Sequence, residues 1–308
     1  MHGPFCTILN AMPTRRHNLL LKCAAVIAAA LPVVISAQAV QRSLYVSAVD
    51  RSGAPVPNLG PSDFVVREDK VAREVLNVGP ADDPMQIALL VDNSQAAEPF
   101  IRDYREALTA FITTMTDRNG PKNEMSLITL AERPTIVSDY TTDPAQLLKG
   151  AQRIFSQPGS GTYLLDGIIE VSRGIMKHKW PRPTIVAIVS EGPELSDRQF
   201  EQVLTPLRDS EASFHLIVVG RPSNQDHDRS VVLSEGTRST GGRYDTVLLS
   251  NALTTKLREV ARDLKNQYRV TYSRPRTLIP PERITVSTPK PGVTVRGTPA
   301  PADREQVR

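Results

Sequence analysis

The amino-acid sequence predicts an α/β fold: a doubly wound, mostly parallel sheet with helices on both faces, flanked by a small β module formed from N- and C-terminal segments. Three observations carry this. Ile87-Ala88-Leu89-Leu90-Val91 is an unbroken apolar run that ends abruptly at Asp92-Asn93-Ser94, as a strand buried on both faces of a parallel sheet does where it emerges at its carboxyl edge. Thr184-Ile185-Val186-Ala187-Ile188-Val189 repeats the arrangement and runs into Ser190-Glu191-Gly192. From Ile87 to about Asn266, strands of this kind alternate with amphipathic helices, while β segments stand at both ends of the chain.

The first segment is not part of that fold. Arg15, Arg16 and Lys22 precede and enter an apolar run, Leu19 to Leu21 and then Ala24 to Ile35, which ends at Ala37-Gln38-Ala39. A basic start, an apolar middle and a small-x-small site are the three parts of a secretory signal peptide, so residues 1–39 are expected to be removed on export to the periplasm or beyond. Met12 is an alternative start. His17-Asn18 after the twin arginines suits Tat export poorly, and Cys23 sits at the front of the apolar run, where a lipid-anchored cysteine does not belong. An uncleaved anchor is the rival reading, with an apolar run near the lower length for a spanning helix.

Loss of the leader changes the charge argument. The chain has 37 basic and 33 acidic residues, and the three basic groups of the leader are unmatched there by acids, so the mature chain is close to neutral. No nucleic-acid partner follows from such a balance, and no membrane contact is expected after cleavage. Both cysteines, Cys6 and Cys23, lie in the leader, leaving a cysteine-free exported chain long enough to build its own core.

Along the mature chain, Leu44 to Asp50, Phe64 to Asp69 and Val75 to Val78 read as strands with turns at Arg51-Ser52-Gly53 and Asp69-Lys70, giving an N-terminal β segment over 40–84. The α/β domain spans 85–266. Its helices are marked by apolar stripes at Ile101 to Met115, Leu147 to Ile154, Leu164 to Ile175, Phe200 to Leu207 and Leu253 to Leu264. Strands are expected at Met125 to Leu130, Pro134 to Val137 and Phe214 to Val219. Residues 221–243, rich in Ser, Gly, Asn and Asp, read as loop with at most one helical turn. Strands within 267–297 return to pack with the N-terminal segment, and 298–308 is expected to be a disordered tail.

In open α/β sheets ligands bind outside the carboxyl edges of the strands, which places Asp92 and the Ser190-Glu191-Gly192 loop at the candidate site. Val91-Asp92-Asn93-Ser94-Gln95-Ala96 resembles the Asp-x-Ser-x-Ser motif of von Willebrand factor A-type domains. Gly161-Thr162-Tyr163-Leu164-Leu165-Asp166-Gly167 resembles their second loop, and Ser190-Glu191-Gly192 their third. The flanking β segments resemble those of exported bacterial proteins with a VWFA-related domain. The resemblance implies a Mg²⁺ or Mn²⁺ site at the sheet edge with Asp92, Ser94, Thr162 and Glu191 as its oxygen donors, and a hard cation of this kind leaves a position that a partner's carboxylate can fill. Two residues depart from the motif: Ala96 offers no oxygen where a hydroxyl is usual, and Glu191 replaces Asp with one more methylene. Asn93, Gln95, Ser160, Gly161, Tyr163 and Gly192 are the expected partner-binding residues around these donors.

The resemblance therefore implies an exported, non-enzymatic protein-binding or adhesion module. The alternative is a metal-independent structural or assembly scaffold, and a hydrolase using the same carboxylates ranks last, because no nucleophile, base and orienter accompany them. Other motifs are weaker. His215, inside an apolar strand, reads as a hydrogen-bonded interior residue rather than a ligand; Asp226-His227-Asp228 reads as solvated surface; Trp180 reads as a packing residue. Gly159-Ser160-Gly161 lacks the continuation of a phosphate-binding P-loop, and neither a dinucleotide fingerprint nor a Gly-x-Ser-x-Gly elbow is present.

Overall fold

The computed structural model describes residues 39–117, 120–221, 226–276, 281 and 283–300. The leader up to Gln38 and the end of the tail lie outside the described residues. The centre is a six-stranded sheet, with strands β5 (Gln86–Val91), β6 (Glu124–Thr129), β7 (Thr135–Thr141), β8 (Pro183–Ser190), β9 (Ser213–Val219) and β10 (Tyr244–Val247) in the order β10-β9-β8-β5-β6-β7. All neighbours are parallel except β7, which runs antiparallel beside β6 at the edge.

Side-chain alternation along β5 explains why that apolar run is continuous. Ile87, Leu89 and Val91 enter one core, while Ala88 and Leu90 enter the other, as the period of two requires in a sheet covered on both sides. The first core is closed by α1 (Ile101–Met115), α2 (Pro144–Gln152) and α6 (Leu253–Lys265), the second by α3 (Leu164–His178) and α4 (Phe200–Asp209). The register pairs Val91 with Ile188, and Asp92 N–H donates to Ile188 O at 2.9 Å. Asp92 thus leaves the sheet beside the end of β8.

The expected β module is present. β1 (Ala39–Val49) lies between β13 (Thr294–Pro299) and β11 (Tyr268–Pro275), with β4 (Val75–Pro80) beyond β11; β2 (Val65–Glu68) lies between β12 (Ile284–Ser287) and β3 (Val71–Arg73). N- and C-terminal segments therefore share both sheets, and Leu44, Val46, Phe64, Val66, Val270 and Tyr272 form a core of their own. Strand β13 reaches Pro299, and Ala300 N–H donates to Ser43 O, so the first residues of the segment expected to be disordered are instead paired. The buried Glu68 carboxylate accepts from Tyr272 Oη at 2.9 Å and from Arg73 at 2.9 Å, tying one small sheet to the other.

Arg182, just before β8, is the joint between the β module and the α/β core. Its buried guanidinium donates to Ala81 O at 2.8 Å, Leu264 O at 2.6 Å and Gln267 Oε1 at 2.7 Å, and stands over the Tyr45 ring. Burial pushes its pKa down to about 10. Removing one partner of a buried network leaves the others unsatisfied at about 1–3 kcal/mol each. Arg182→Met is therefore expected to lower the stability measured by urea unfolding by about 3 kcal/mol; a change below about 1 kcal/mol would show that the carbonyls are hydrated instead.

Within the expected loop of 221–243, residues 227–239 are helical instead. Helix α5 (His227–Val231) continues through a π-helical turn, Val232–Gly236, into a last turn at Thr237–Ser239. Local composition argues against a helix there, and burial overrides it: Val232, Leu233 and Gly236 pack into the second core, with Gly236 against Leu207 and Phe214. Strand β10 also has no counterpart in the sequence reading. It reaches β9 through Gly242, where an added Cβ would lie 1.8 Å from Phe214 O, so only glycine allows the approach. Asp226 and Asp228 are half-exposed and His227 is exposed, as expected of surface, yet both aspartates also serve the fold: Asp226 caps α5 by accepting from Arg229 N–H, and Asp228 accepts from Phe200 N–H at the start of α4. Trp180 stacks on Tyr140 with ring centroids 6.3 Å apart.

His215 of β9 is completely buried, as expected, but not hydrogen-bonded. Among the described residues neither ring nitrogen has a hydrogen-bond partner. Its pKa falls to about 3, chiefly through desolvation and then through the positive charges of Arg296 and Arg243. The imidazole is held neutral in the sheet.

Candidate functional site

The chain leaves β5 as Asp92-Asn93-Ser94 and turns through a 3₁₀ segment, Gln95–Phe100, into α1. The Asp92 carboxylate is wholly buried and receives four donors. Ser94 N–H at 2.8 Å and Thr162 Oγ1 at 2.9 Å meet Oδ1; Ser190 N–H at 2.9 Å and the Ser190 hydroxyl meet Oδ2. One side chain therefore holds all three motif loops, since Ser94, Thr162 and Ser190 belong to the first, second and third.

Thr162 is the pivot of the second loop. Its hydroxyl lies 3.4 Å from Ser94 Oγ, its N–H donates to Pro193 O at 2.8 Å, and its carbonyl accepts from Leu195 N–H at 2.8 Å. It does not cap α3: the cap position is Tyr163, and the first helical N–H, that of Leu164, donates to Glu194. The Glu194 carboxylate also accepts from Ser196 N–H and Oγ. Burial pushes the Glu194 pKa up to about 7, opposed by those donors and by the charge of Arg229. Asp92, Ser94 and Thr162 thus present three adjacent oxygen-bearing side chains.

Glu191, the fourth expected donor, is engaged elsewhere. Both of its oxygens lie 3.4 Å from Arg229 Nη1, and Arg229 Nη2 donates to Ser190 O at 3.3 Å. Arg229 is 5% exposed. Ala96 lies against Gly192, where an added Cβ would sit 2.5 Å from the Ala96 methyl, so a methyl faces the third loop where the motif has a hydroxyl. The donors of the first two loops fit a hard divalent cation; the third loop does not, because its carboxylate charge is met by a guanidinium.

The expected partner-binding residues divide by exposure. Asn93 is buried and braces the loops, donating to Phe155 O at 3.0 Å and accepting from Ala131 N–H at 2.9 Å. Gly161 is buried against Leu195 and Pro193. Gln95 is exposed and accepts from Gly159 N–H, while Ser160, Tyr163 and Gly192 are half-buried. Four side chains on this edge drew no attention from the sequence: Phe155, Leu195, Leu248 and Leu249 are large, apolar and 62%, 48%, 67% and 69% exposed. Phe155 is adjacent to Asn93 and packs under Arg105, Leu195 ends the third loop, and the two leucines follow the carboxyl end of β10. Tyr104 was visible only as one member of the α1 stripe. Its hydroxyl is buried beside Ser190 and Asp92, and burial followed by the Asp92 charge, opposed by Ser190, raises its pKa well above the usual tyrosine value.

A family model, the von Willebrand factor type A domain, matches residues 87–193. Among solved structures, the chain is similar to the von Willebrand factor type A protein from Catenulispora acidiphila, with 11% identity, 84% of this chain and 73% of that chain covered, and a TM-score of 0.49. BatB from Bacteroides thetaiotaomicron gives 12% identity over 59% of this chain and all (100%) of that one, with a TM-score of 0.45. The vWF domain of the type V pili tip protein Mfa5 from Porphyromonas gingivalis gives 11% identity over 59% and 95%, with a TM-score of 0.44. No curated protein matches the chain. No described helix is long and apolar enough to cross a membrane. The matched segment begins in β5 and ends just beyond the third loop, so residues 87–193, which hold all three motif loops, are a von Willebrand factor type A domain.

Proposed function

We propose that this chain is an exported, non-enzymatic protein-binding module that docks its partner on the carboxyl edge of the central sheet. Domains of this family are generally non-catalytic interaction modules. The observation that carries the reading is the surface around the Asp92 site: exposed Phe155, Leu195, Leu248 and Leu249 stand around loops that Asp92 holds rigid. Exposed apolar groups around a polar centre suit a protein interface better than solvent. The four donors on Asp92 keep these loops from rearranging, which limits the ordering cost of association. Export rests on the leader pattern of residues 1–39.

Asp92, Ser94 and Thr162 are the residues that would hold Mg²⁺ or Mn²⁺, supplying a charge for a partner's carboxylate. The pairing of Glu191 with Arg229 favours the second reading, in which docking proceeds without the ion. A photo-crosslinking residue placed at Tyr163 and, as a control, at Leu76 of β4 tests the binding face in the cell that makes the protein. The expected result is a discrete protein adduct from position 163 and none from position 76. Equal labelling from both, or adducts only from 76, would move the interface to the β module, where edge pairing is the alternative mode.

A further inference from the structure

We propose that Arg229 determines the specificity of this site by occupying the third-loop carboxylate, which excludes a divalent cation. The inference rests on reading Asp92, Ser94 and Thr162 as a cation-type donor set. Arg229 sits in the first turn after Asp226, whose side chain accepts from Arg229 N–H and so fixes the backbone from which the guanidinium reaches the sheet edge. Its side chain is 6% exposed and that of Glu191 16%. A pair screened so little by solvent interacts more strongly than a surface pair.

The guanidinium is connected to the Asp92 carboxylate through one residue. Nη2 of Arg229 donates to Ser190 O, and Ser190 donates its N–H and hydroxyl to Asp92 Oδ2. A cation bound at Asp92, Ser94 and Thr162 would therefore meet a fixed positive charge across Ser190, while the one further carboxylate of the motif is turned to that charge. Arginine suits this role, because its charge is permanent and its planar fork reaches both Glu191 oxygens and a carbonyl together. With Asp92 as the single motif carboxylate left, Mg²⁺ would have to gain more from its waters than from the protein.

The claim reverses under substitution, which makes it testable. Arg229→Gln removes the guanidinium charge and frees the Glu191 carboxylate to face a cation; Glu191→Asp, one methylene shorter, releases the third-loop carboxylate from Arg229 while the guanidinium charge stays, and is expected to show a saturable rise weaker than that of Arg229→Gln. Thermal unfolding of the whole chain is followed during titration with MnCl₂ and MgCl₂ after chelator treatment. The wild-type midpoint is expected to stay flat through millimolar metal. Arg229→Gln is expected to show a saturable rise, with half-effect at a metal concentration at least about tenfold below any wild-type response. Adding Ser94→Ala or Glu191→Gln to Arg229→Gln is expected to abolish the rise. If Arg229→Gln does not fold, Glu191→Asp carries the test. A saturable wild-type response lost in Ser94→Ala would overturn the exclusion while leaving the donor set intact. Flat responses in every folded variant would overturn both.

Discussion

Asp92→Ala is expected to lower the stability of the protein by about 3 kcal/mol or more, the largest loss of any single substitution at the loop edge. The reason is geometric. The carboxylate is the common acceptor for Ser94 N–H, Ser190 N–H and the hydroxyls of Thr162 and Ser190. The hydroxyls can rotate to other partners, but the two backbone donors cannot, and each buried orphan costs about 1–3 kcal/mol. Ser94→Ala, by contrast, removes a hydroxyl whose contact is a 3.4 Å approach to Thr162, and its effect should stay within about 1 kcal/mol. Urea unfolding of the two variants side by side measures the difference. Equal, small losses would mean that Asp92 does not organise the loops. The result also decides how the site should be probed, since a variant that loosens three loops at once is a poor test of ligand binding, whereas Ser94→Ala leaves the scaffold in place.

The second large effect is on pH dependence and comes from His215. Its unfolded pKa is the ordinary value of 6.5, while the buried imidazole titrates near 3. Above pH 6.5 the group is neutral in both states and adds no pH dependence. Below it the unfolded chain takes up a proton that the native protein refuses, so stability falls as pH falls, through the window from 6.5 to about 3. The slope for one such group is about 1.4 kcal/mol per pH unit. Between pH 7.5 and 4.5 the wild type should therefore lose about 2–3 kcal/mol more than His215→Leu, whatever the carboxylates contribute to both. A pH-independent difference between the two would show that the imidazole is protonated as readily in the folded protein as in the unfolded chain. The orphaned ring nitrogens mark the same residue as a point where an apolar replacement costs no hydrogen bond.

These two predictions lie on opposite sides of what the sequence made legible. The Asp92 site could be read because its signals are local: a branched apolar run must be a strand buried on both faces, and the polar residue that ends it must stand at the edge. Parallel pairing then brings Val91 next to Ile188 and hence Asp92 next to Ser190. Helices α1, α3 and α6 were legible for the same reason, each carrying an apolar stripe at helical spacing. The Arg229–Glu191 pair was not, because nothing local distinguishes an arginine in a polar stretch from a solvated one. Residues 227–239 become helical through the burial of Val232, Leu233 and Gly236 against α4 and β9, a tertiary cause that composition opposes. Strand β10 is short, half-exposed and added only at the sheet edge. His215 was placed correctly inside the strand, but whether its nitrogens find partners depends on groups brought there from distant parts of the chain, among them Arg243 ahead of β10 and Arg296 of β13.

Glu191 is the residue on which the functional reading turns. As a carboxylate in the third motif loop it completes a cation site in the resemblance; in the folded chain its charge faces Arg229, while the Asp92 carboxylate is held by neutral hydrogen-bond donors. The domain would then dock through shape, apolar contact and the fixed loops, with specificity set by Gln95, Ser160, Tyr163 and the exposed side chains around them.

The most direct measurement is the crosslinking yield from Tyr163 in chelator and again in millimolar Mg²⁺, with the partner at fixed concentration. Metal-independent docking on the loop edge predicts the same discrete adduct in equal yield under both conditions. An adduct that disappears in chelator and returns with Mg²⁺ would contradict it, and would place the ion back at Asp92, Ser94 and Thr162 as the group that receives the partner.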